Sequence, residues 1–423
     1  MSHAISAMMR AGTVRAACLG LITTLALHPP QLRAQTMPAT RPVTATLTFS
    51  DFGAHLLGAA VNHAGAADSN IVISPVSAGL ALSLAYFGAK GSTASALANM
   101  LGTSAVSRSD LEKEGSSLIA ASTDRKDVQL EIANAVWTDN SMTLTSAFKA
   151  PASAWHARFG SLALRSRNAL VTINGWADSA THGKIKQILK DPLPDTTLLF
   201  IANAVYFKGK WLTPFDKSLT RKRPFTLSNG HTISVASMQR TGGMRYSRDS
   251  GYQMVRLPYN GDHVAMYVIL PDSGDHGRIE QKFAERGWPA SLPANASRQI
   301  HLVLPKLHVE QESDLLPLVR QLGAAISTDC ERADFSDMAV DRTGRAPRQL
   351  CIGKAVQKVY LDVDEEGTEA AAVTGIGMVT TTALQRTTEF VVDRPFIILI
   401  RDETTGADLF AGSIRHPASG IRE

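Results

Sequence analysis

The sequence predicts an α+β fold built around a large, mainly antiparallel β-sheet. Three observations carry this expectation. Helical periodicity dominates the chain up to about Lys190. From Asp195 onward branched and aromatic residues alternate between Pro, Gly and Asp breaks. These strands follow one another without the regular helices that parallel βαβ units require. The chain has 423 residues, 44% hydrophobic and 19% charged, ample for one large core or two smaller domains. No internal repeat, coiled coil or low-complexity tract is expected.

Residues 1–34 read as a signal peptide. Arg10 and Arg15 precede an apolar run from Ala16 to Leu27, and no acidic residue occurs before Ala34. A run of about a dozen residues is too short to span a bilayer. Cleavage is placed after Ala34, although Leu32 occupies the minus-three position where a small residue is usual. Residues 35–45 read as a linker and 46–423 as the folded domain. The expected product is secreted, extracellular or periplasmic, with no membrane association.

Within the domain, Leu47 to Val61 reads as a helix. "PVSAGLALSLAYFGAKGSTASALANML", from Pro75, reads as two helices broken at "GAKGST", with Ser77 as N-cap. Val128 to Trp137 alternates as a strand, and Ser146 to Phe159 and Ala169 to Lys190 read as helices. Strands follow at "LLFIANAVYFKGKW", "YQMVRLPY", "HVAMYVILP", "QIHLVLPKLHVEQ" and "VQKVYLDVD", with "LLPLVRQLGA" a short helix among them. The C-terminal "FVVDRPFIILIRDETTGADLFAGSIRHP" reads as a hairpin with "ETTGAD" as its loop.

The formal net charge of +5 falls to about +2 without Arg10, Arg15 and Arg33, so no nucleic-acid partner is expected. The basic run "RKRPF" at Arg221 to Phe225 reads as a solvated turn, with polyanion binding as the alternative. Export leaves Cys330 and Cys351. An oxidising compartment would join them; two unpaired, partly buried thiols are the alternative.

Catalytic signatures are weak. "RDSGY" and "PDSGD" lack the Gly-x-Ser-x-Gly frame of a nucleophile elbow and suit turns between strands. "SPVS" at Ser74 to Ser77 is not Ser-x-x-Lys, and "THGK" at Thr181 to Lys184 lacks the serine. The histidines form no metal-ligand spacing, and "GIG" at Gly375 to Gly377 lacks the third glycine of a phosphate loop. No enzyme activity, metal or cofactor is expected.

The unusual stretch is "DEEGTEAAAVTGIGMVTTTALQRTTEF", Asp364 to Phe390. Alternate residues Thr368, Ala370, Ala372, Thr374, Ile376 and Met378 are small or apolar and uncharged; Glu369 falls in the other set. A strand made from this segment buries no ion. Gly375, Gly377 and the threonines make it a poor stand-alone strand. The pattern suits a loop with two states, and a plain long surface loop is the alternative.

At this point the chain resembles the serpin family, over roughly Phe49 to Pro417. The resemblance is carried, in order, by "NIVISPVSAGLALSLAYFGAKGSTASALANML", "THGKI", "IANAVYFKGKW", "LPKLHVE", "KAVQKVYLDVDEEGTEAAAVTG" and "DRPFIILIRDETTGADLFAGSIRHP". It implies a large sheet with two smaller sheets, eight or nine helices, and a reactive loop at about 365–390. It also implies suicide inhibition of a protease by a monomer, the cut loop inserting into the main sheet. A non-inhibitory carrier of the same fold is the rival reading.

Carried over residue by residue, Glu365 and Gly367 open the hinge and Thr368 is the first residue to insert. Glu369 stays outward, and Ala370, Ala371 and Ala372 pass into the sheet. Lys306 pairs with Glu365, and Trp211 lies where insertion begins. Ser74, Ser77 and Asn203 match a polar gate under the sheet, where Gln357 replaces the usual histidine. The scissile bond is placed at Thr381–Thr382, with Thr380, Thr382 and Ala383 as alternatives for the residue before the cut. Threonine there suits an elastase-like or subtilisin-like serine protease. Cutting after Leu384 would suit a chymotrypsin-like enzyme and after Arg386 trypsin.

Overall fold

The computed structural model describes residues 47, 49–65, 69–123, 128–289, 297–347, 349–368 and 386–418, all within the unit Ala45–Glu423. The expectations for the signal peptide and linker lie outside the described residues. So do those for Glu369, Ala370, Ala371, Ala372, Thr381 and Thr382.

In chain order the elements are α1 (Ser50–Ala64), β1 (Ile71–Ile73), α2 (Pro75–Gly88), α3 (Gly91–Leu101), α4 (Arg108–Thr123), β2 (Val128–Asp139), β3 (Met142–Leu144), α5 (Ser146–Ala154), β4 (Arg158–Leu162), α6 (Arg167–Ala180), β5 (Leu199–Lys210), β6 (Arg221–Thr226), β7 (Thr232–Asp249), β8 (Tyr252–Pro258), β9 (Val264–Pro271), α7 (His276–Arg286), β10 (Ser297–Pro305), β11 (Leu307–Asp314), α8 (Leu316–Val319), β12 (Ala339–Asp341), β13 (Lys354–Val363), β14 (Gly367–Thr368), β15 (Thr388–Val391), β16 (Phe396–Asp402) and β17 (Asp408–Ile414). The α+β segregation is as expected.

The strands form three sheets. A nine-stranded sheet runs β1-β17-β16-β9-β8-β7-β10-β15, with β6 added against β7. A six-stranded sheet runs β11-β13-β5-β2-β4, with β14 added against β5, and β12 pairs β3. The six-stranded sheet positions the site. On its inner face lies α2, whose sequence is apolar all round; such a helix belongs inside a core, and only Tyr86 of its residues escapes full burial. On its outer face α6 packs Ala169, Ile173 and Ala177 over Trp137, Phe200 and Ala202.

Several local expectations are corrected. Ser77 is not an N-cap: Ser74 holds that position, Pro75 takes the first helical residue, and Ser77 is buried inside α2. Proline there has no N–H to leave unsatisfied and its φ suits a helix start. The helix expected to reach Lys190 ends at Ala180, because His182 and Gly183 both take positive φ. The run to Phe159 ends as α5 at Ala154, and Arg158–Leu162 pairs with β2 instead. "RKRPF" is not a turn but edge strand β6, paired from Arg221↔Ser237 to Thr226↔Thr232. Pro224 is tolerated because an edge strand leaves one side unpaired. "QIHLVLPKLHVEQ" is two strands in different sheets, handing over at Lys306. Helices α4 and α7 were not expected, and "PDSGD" leads into α7 instead of a strand.

Cys330 and Cys351 are joined by a disulfide, with Cα atoms 4.7 Å apart. It ties a loop across 21 residues to the chain entering β13. Closing a loop of that length restricts the unfolded chain by about 3 kcal/mol. Replacing both cysteines by serine should therefore lower the melting temperature by a few degrees. Identical thermal unfolding of the two forms would contradict this.

Candidate functional site

The hinge begins where β13 ends. The Asp364 carboxylate accepts the N–H groups of Glu366 (2.9 Å) and Gly367 (3.2 Å), a local turn that aspartate favours. Gly367 then adopts φ 149°, and a Cβ there would lie 2.0 Å from the Gly209 carbonyl oxygen. Only glycine fits both demands. This close approach lets Gly367 and Thr368 pair antiparallel with Lys210 and Gly209 as β14.

The rest of the hinge is clamped from the segment after β5. The Trp211 indole N–H donates to the Asp364 carbonyl (2.9 Å), and the Trp211 amide donates to the Glu366 carbonyl (2.9 Å). The Phe215 amide donates to the Glu365 carbonyl (2.7 Å). The Glu365 carboxylate accepts from Lys306 Nζ (2.8 Å) and the Thr220 hydroxyl (2.7 Å). Burial alone would raise the Glu365 pKa, but the Lys306 and Thr220 hydrogen bonds more than offset this and hold it below its ordinary value. Glu366 pairs with Lys217.

Thr368 is 0% exposed, and its hydroxyl shares a 2.9 Å hydrogen bond with the Tyr259 hydroxyl. Tyr259 is itself fully buried and stacks on Trp211 at 4.5 Å. Thr368 is therefore already seated inside the sheet.

Below this point β13 and β5 pair directly and in parallel, from Lys354↔Phe200 to Tyr360↔Tyr206. The pairing stops there, and β14 takes up the edge of β5 at Gly209–Lys210 while also touching β13. A strand extending from Thr368 would have to separate β5 from β13.

Midway along that seam, Asn203 and Gln357 stand directly opposite each other. Gln357 Nε2 donates to Asn203 Oδ1 (2.7 Å) and to the Ser74 carbonyl (3.0 Å), while its Oε1 accepts the Ser74 N–H (3.0 Å). Asn203 Nδ2 donates to Asn134 Oδ1 (2.7 Å), to the Ser77 carbonyl (3.3 Å) and to the Ser77 hydroxyl. All five side chains are buried. The amide of Gln357 fills the position with hydrogen bonds at both ends and carries no group that titrates near neutral pH. Gln357→Ala should cost about 2–4 kcal/mol, since it leaves buried partners unpaired. Urea unfolding would measure the loss, and an unchanged midpoint would refute the assigned bonds.

Thus Glu365, Gly367, Thr368, Trp211 and Lys306 form one cluster, and Ser74, Ser77, Asn203 and Gln357 another. Sequence reasoning missed Asn134, Thr220 and Tyr259. Asn134 had a signal: "IANAV" occurs in both β2 and β5. The antiparallel register sets Asn134 opposite Asn203.

A family model described as "Serpin (serine protease inhibitor)" matches residues 48–417. The chain belongs to the serpin family. A putative serpin-Z5 of Oryza sativa subsp. japonica is 34% identical over 390 residues, covering 84% of this chain and 86% of the relative. Among solved structures, the thermophilic serpin tengpin in the native state aligns with a TM-score of 0.76 and 25% identity, covering 88% of this chain and 94% of that one. Thyroxine-binding globulin in complex with thyroxine aligns with a TM-score of 0.74 and 24% identity, covering 88% and 99% of the two chains.

Proposed function

We propose that this serpin is a secreted inhibitor that traps a serine protease as a suicide substrate, acting as a monomer and not as a catalyst. The observation that carries the reading is Thr368, seated and hydrogen-bonded at the point where β5 and β13 diverge. The protease serine attacks the carbonyl of Thr381, the bond to Thr382 breaks, and an acyl-enzyme forms. The small alternate residues after Thr368 then extend β14 down the seam past Asn203 and Gln357. Thirteen residues at ~3.3 Å each carry the acylated protease roughly 43 Å. That pull disorders the oxyanion hole, whose donors work only when held to fractions of an ångström. Threonine at the cut favours elastase-like or subtilisin-like targets.

A non-inhibitory carrier is the second reading, favoured by the shared fold of thyroxine-binding globulin. The "TEAAAVT" hinge disfavours it, because its one charge, Glu369, falls in the outward set and nothing in the inward set resists burial. Incubation with pancreatic elastase, subtilisin, chymotrypsin and trypsin separates the two. A covalent complex that survives boiling in SDS is expected with at least one. Clean cleavage of the loop with full protease activity remaining would overturn the proposal.

A further inference from the structure

We propose that Tyr206, Tyr360 and Lys184 form a latch over the last rung of the β5–β13 seam and set how fast the sheet parts to admit the loop. This rests on the inhibitory reading above and makes all three positioning residues. The ladder of the seam ends at Tyr360↔Tyr206. Just beyond it Thr368 already pairs with Gly209. A strand growing from Thr368 therefore meets this rung before any other. The two rings face each other across the seam, with centroids 5.9 Å apart at 55°. Lys184 Nζ lies 5.8 Å from the Tyr206 centroid and 5.5 Å from that of Tyr360, one ammonium over the rings of both strands. Such a cation is drawn to the electron-rich faces of the rings. Burial pushes the Tyr206 pKa up to about 12 and also raises that of Tyr360, so both meet the ammonium as neutral phenols.

Lys184 is held there by its neighbours in the chain. After α6, His182 and Gly183 take positive φ and turn the chain across the sheet. The Gly183 amide donates to the Asp178 carbonyl (2.8 Å), and the Ile185 amide donates to the Thr181 hydroxyl (2.9 Å). Ile185 and Ile188 are buried in the outer-face cluster with Phe200 and Ala202 of β5 and Val356 of β13. His182 meets Glu131 of β2 at 3.2 Å, and Lys358 of β13 donates to the Gln187 carbonyl (2.6 Å). Glu131, Tyr206, Tyr360 and Glu310 are consecutive partners across β2, β5, β13 and β11, so His182 and Lys184 touch a single row of the sheet. Adjacent strands lie ~4.8 Å apart, so a strand entering between β5 and β13 sets them ~9.6 Å apart. That exceeds the ~7 Å reach of a ring pair and leaves one ammonium unable to lie over both rings. The latch therefore stabilises the closed seam and not the inserted form.

The test reads uptake of a synthetic peptide with the sequence of residues 369–381 into the uncut protein, which needs no protease. Lys184→Met should speed uptake about threefold and Tyr360→Val about tenfold, the scale of losing the cation alone and of losing the ring pair with it. Lys184→Arg keeps a cation over the rings and should retain the wild-type rate. Lys184→Met and Tyr360→Val should each lower the melting temperature of the intact protein by about 1–2 °C and leave that of the loop-cleaved protein unchanged. A general packing role would lower both. A wild-type rate in K184M, a rate in K184R as fast as in K184M, or equal losses of melting temperature in the intact and cleaved forms would overturn the latch. K184M changes one half-buried side chain outside the strands, so it decides the matter even where Y360V fails to fold. Wild-type protein that neither takes up the peptide nor melts higher after loop cleavage would instead overturn the inhibitory reading, and the latch with it.

Discussion

Thr368→Arg should convert this serpin from an inhibitor into a substrate. The wild-type side chain is wholly enclosed, its backbone is paired to Gly209 and its hydroxyl is bonded to Tyr259. An arginine entering that site would lose its hydration with no acid beside it, a cost of several kcal/mol. The Tyr259 hydroxyl is a poor counter-charge, because burial raises its pKa and keeps it neutral even though the Thr368 bond works in the other direction. Insertion competes with hydrolysis of the acyl-enzyme, and each 1.36 kcal/mol added to its barrier slows it about tenfold. A few kcal/mol therefore shifts nearly all turnover to hydrolysis. The SDS-stable complex should fall at least ~100-fold, with the loop cut and the protease active. A variant that still traps its target would sink the insertion model. Tyr259→Phe serves as the control: it removes one neutral hydroxyl bond, worth about 1 kcal/mol, and should leave trapping largely intact.

Cleavage of the loop should raise the melting temperature sharply. In the described structure β5 and β13 share a single ladder of seven residue pairs along the seam. An inserted strand replaces that ladder with two, one on each side. About a dozen residues gain ladder bonds worth ~0.5–1.5 kcal/mol each, plus the burial of alanine, isoleucine and methionine side chains. The polar cluster at Gln357 and Asn203 must rearrange, which subtracts some of this. The net gain is on the order of ten kcal/mol. For a domain of roughly 370 residues, the unfolding entropy of ~2.1 cal/mol/K per residue converts this to more than 10 °C. Calorimetry before and after limited proteolysis within residues 370–386 would measure it. An unchanged transition would mean the native form stores no such free energy.

Much of the architecture was readable because it is written in local periodicity. The buried α2, the alternating β2, and the glycine-punctuated hairpin at the C-terminus all declare themselves within a dozen residues. Errors fell where the local signal was cut short or overruled. Helix α6 stops at positive-φ residues His182 and Gly183. The charged "RKRPF" is a strand only because β7 offers it an edge. The "LPKLHVE" segment changes sheet at Lys306, a switch that periodicity does not record.

By itself, the sequence determined that the segment from Thr368 onward places no charge in its inward set, and that Gly367 precedes it. It also placed an ionisable pair at Glu365 and Lys306, through family resemblance. Only the tertiary structure decided that Thr368 is already seated, that Tyr259 holds it, and that Asn134, Asn203 and Gln357 form one row across three strands. The physical reason is that alternation is a property of neighbouring residues. A hydrogen bond between Thr368 and Tyr259 instead joins positions 109 apart, and exists only once strand register and the stacking of Trp211 bring them within reach.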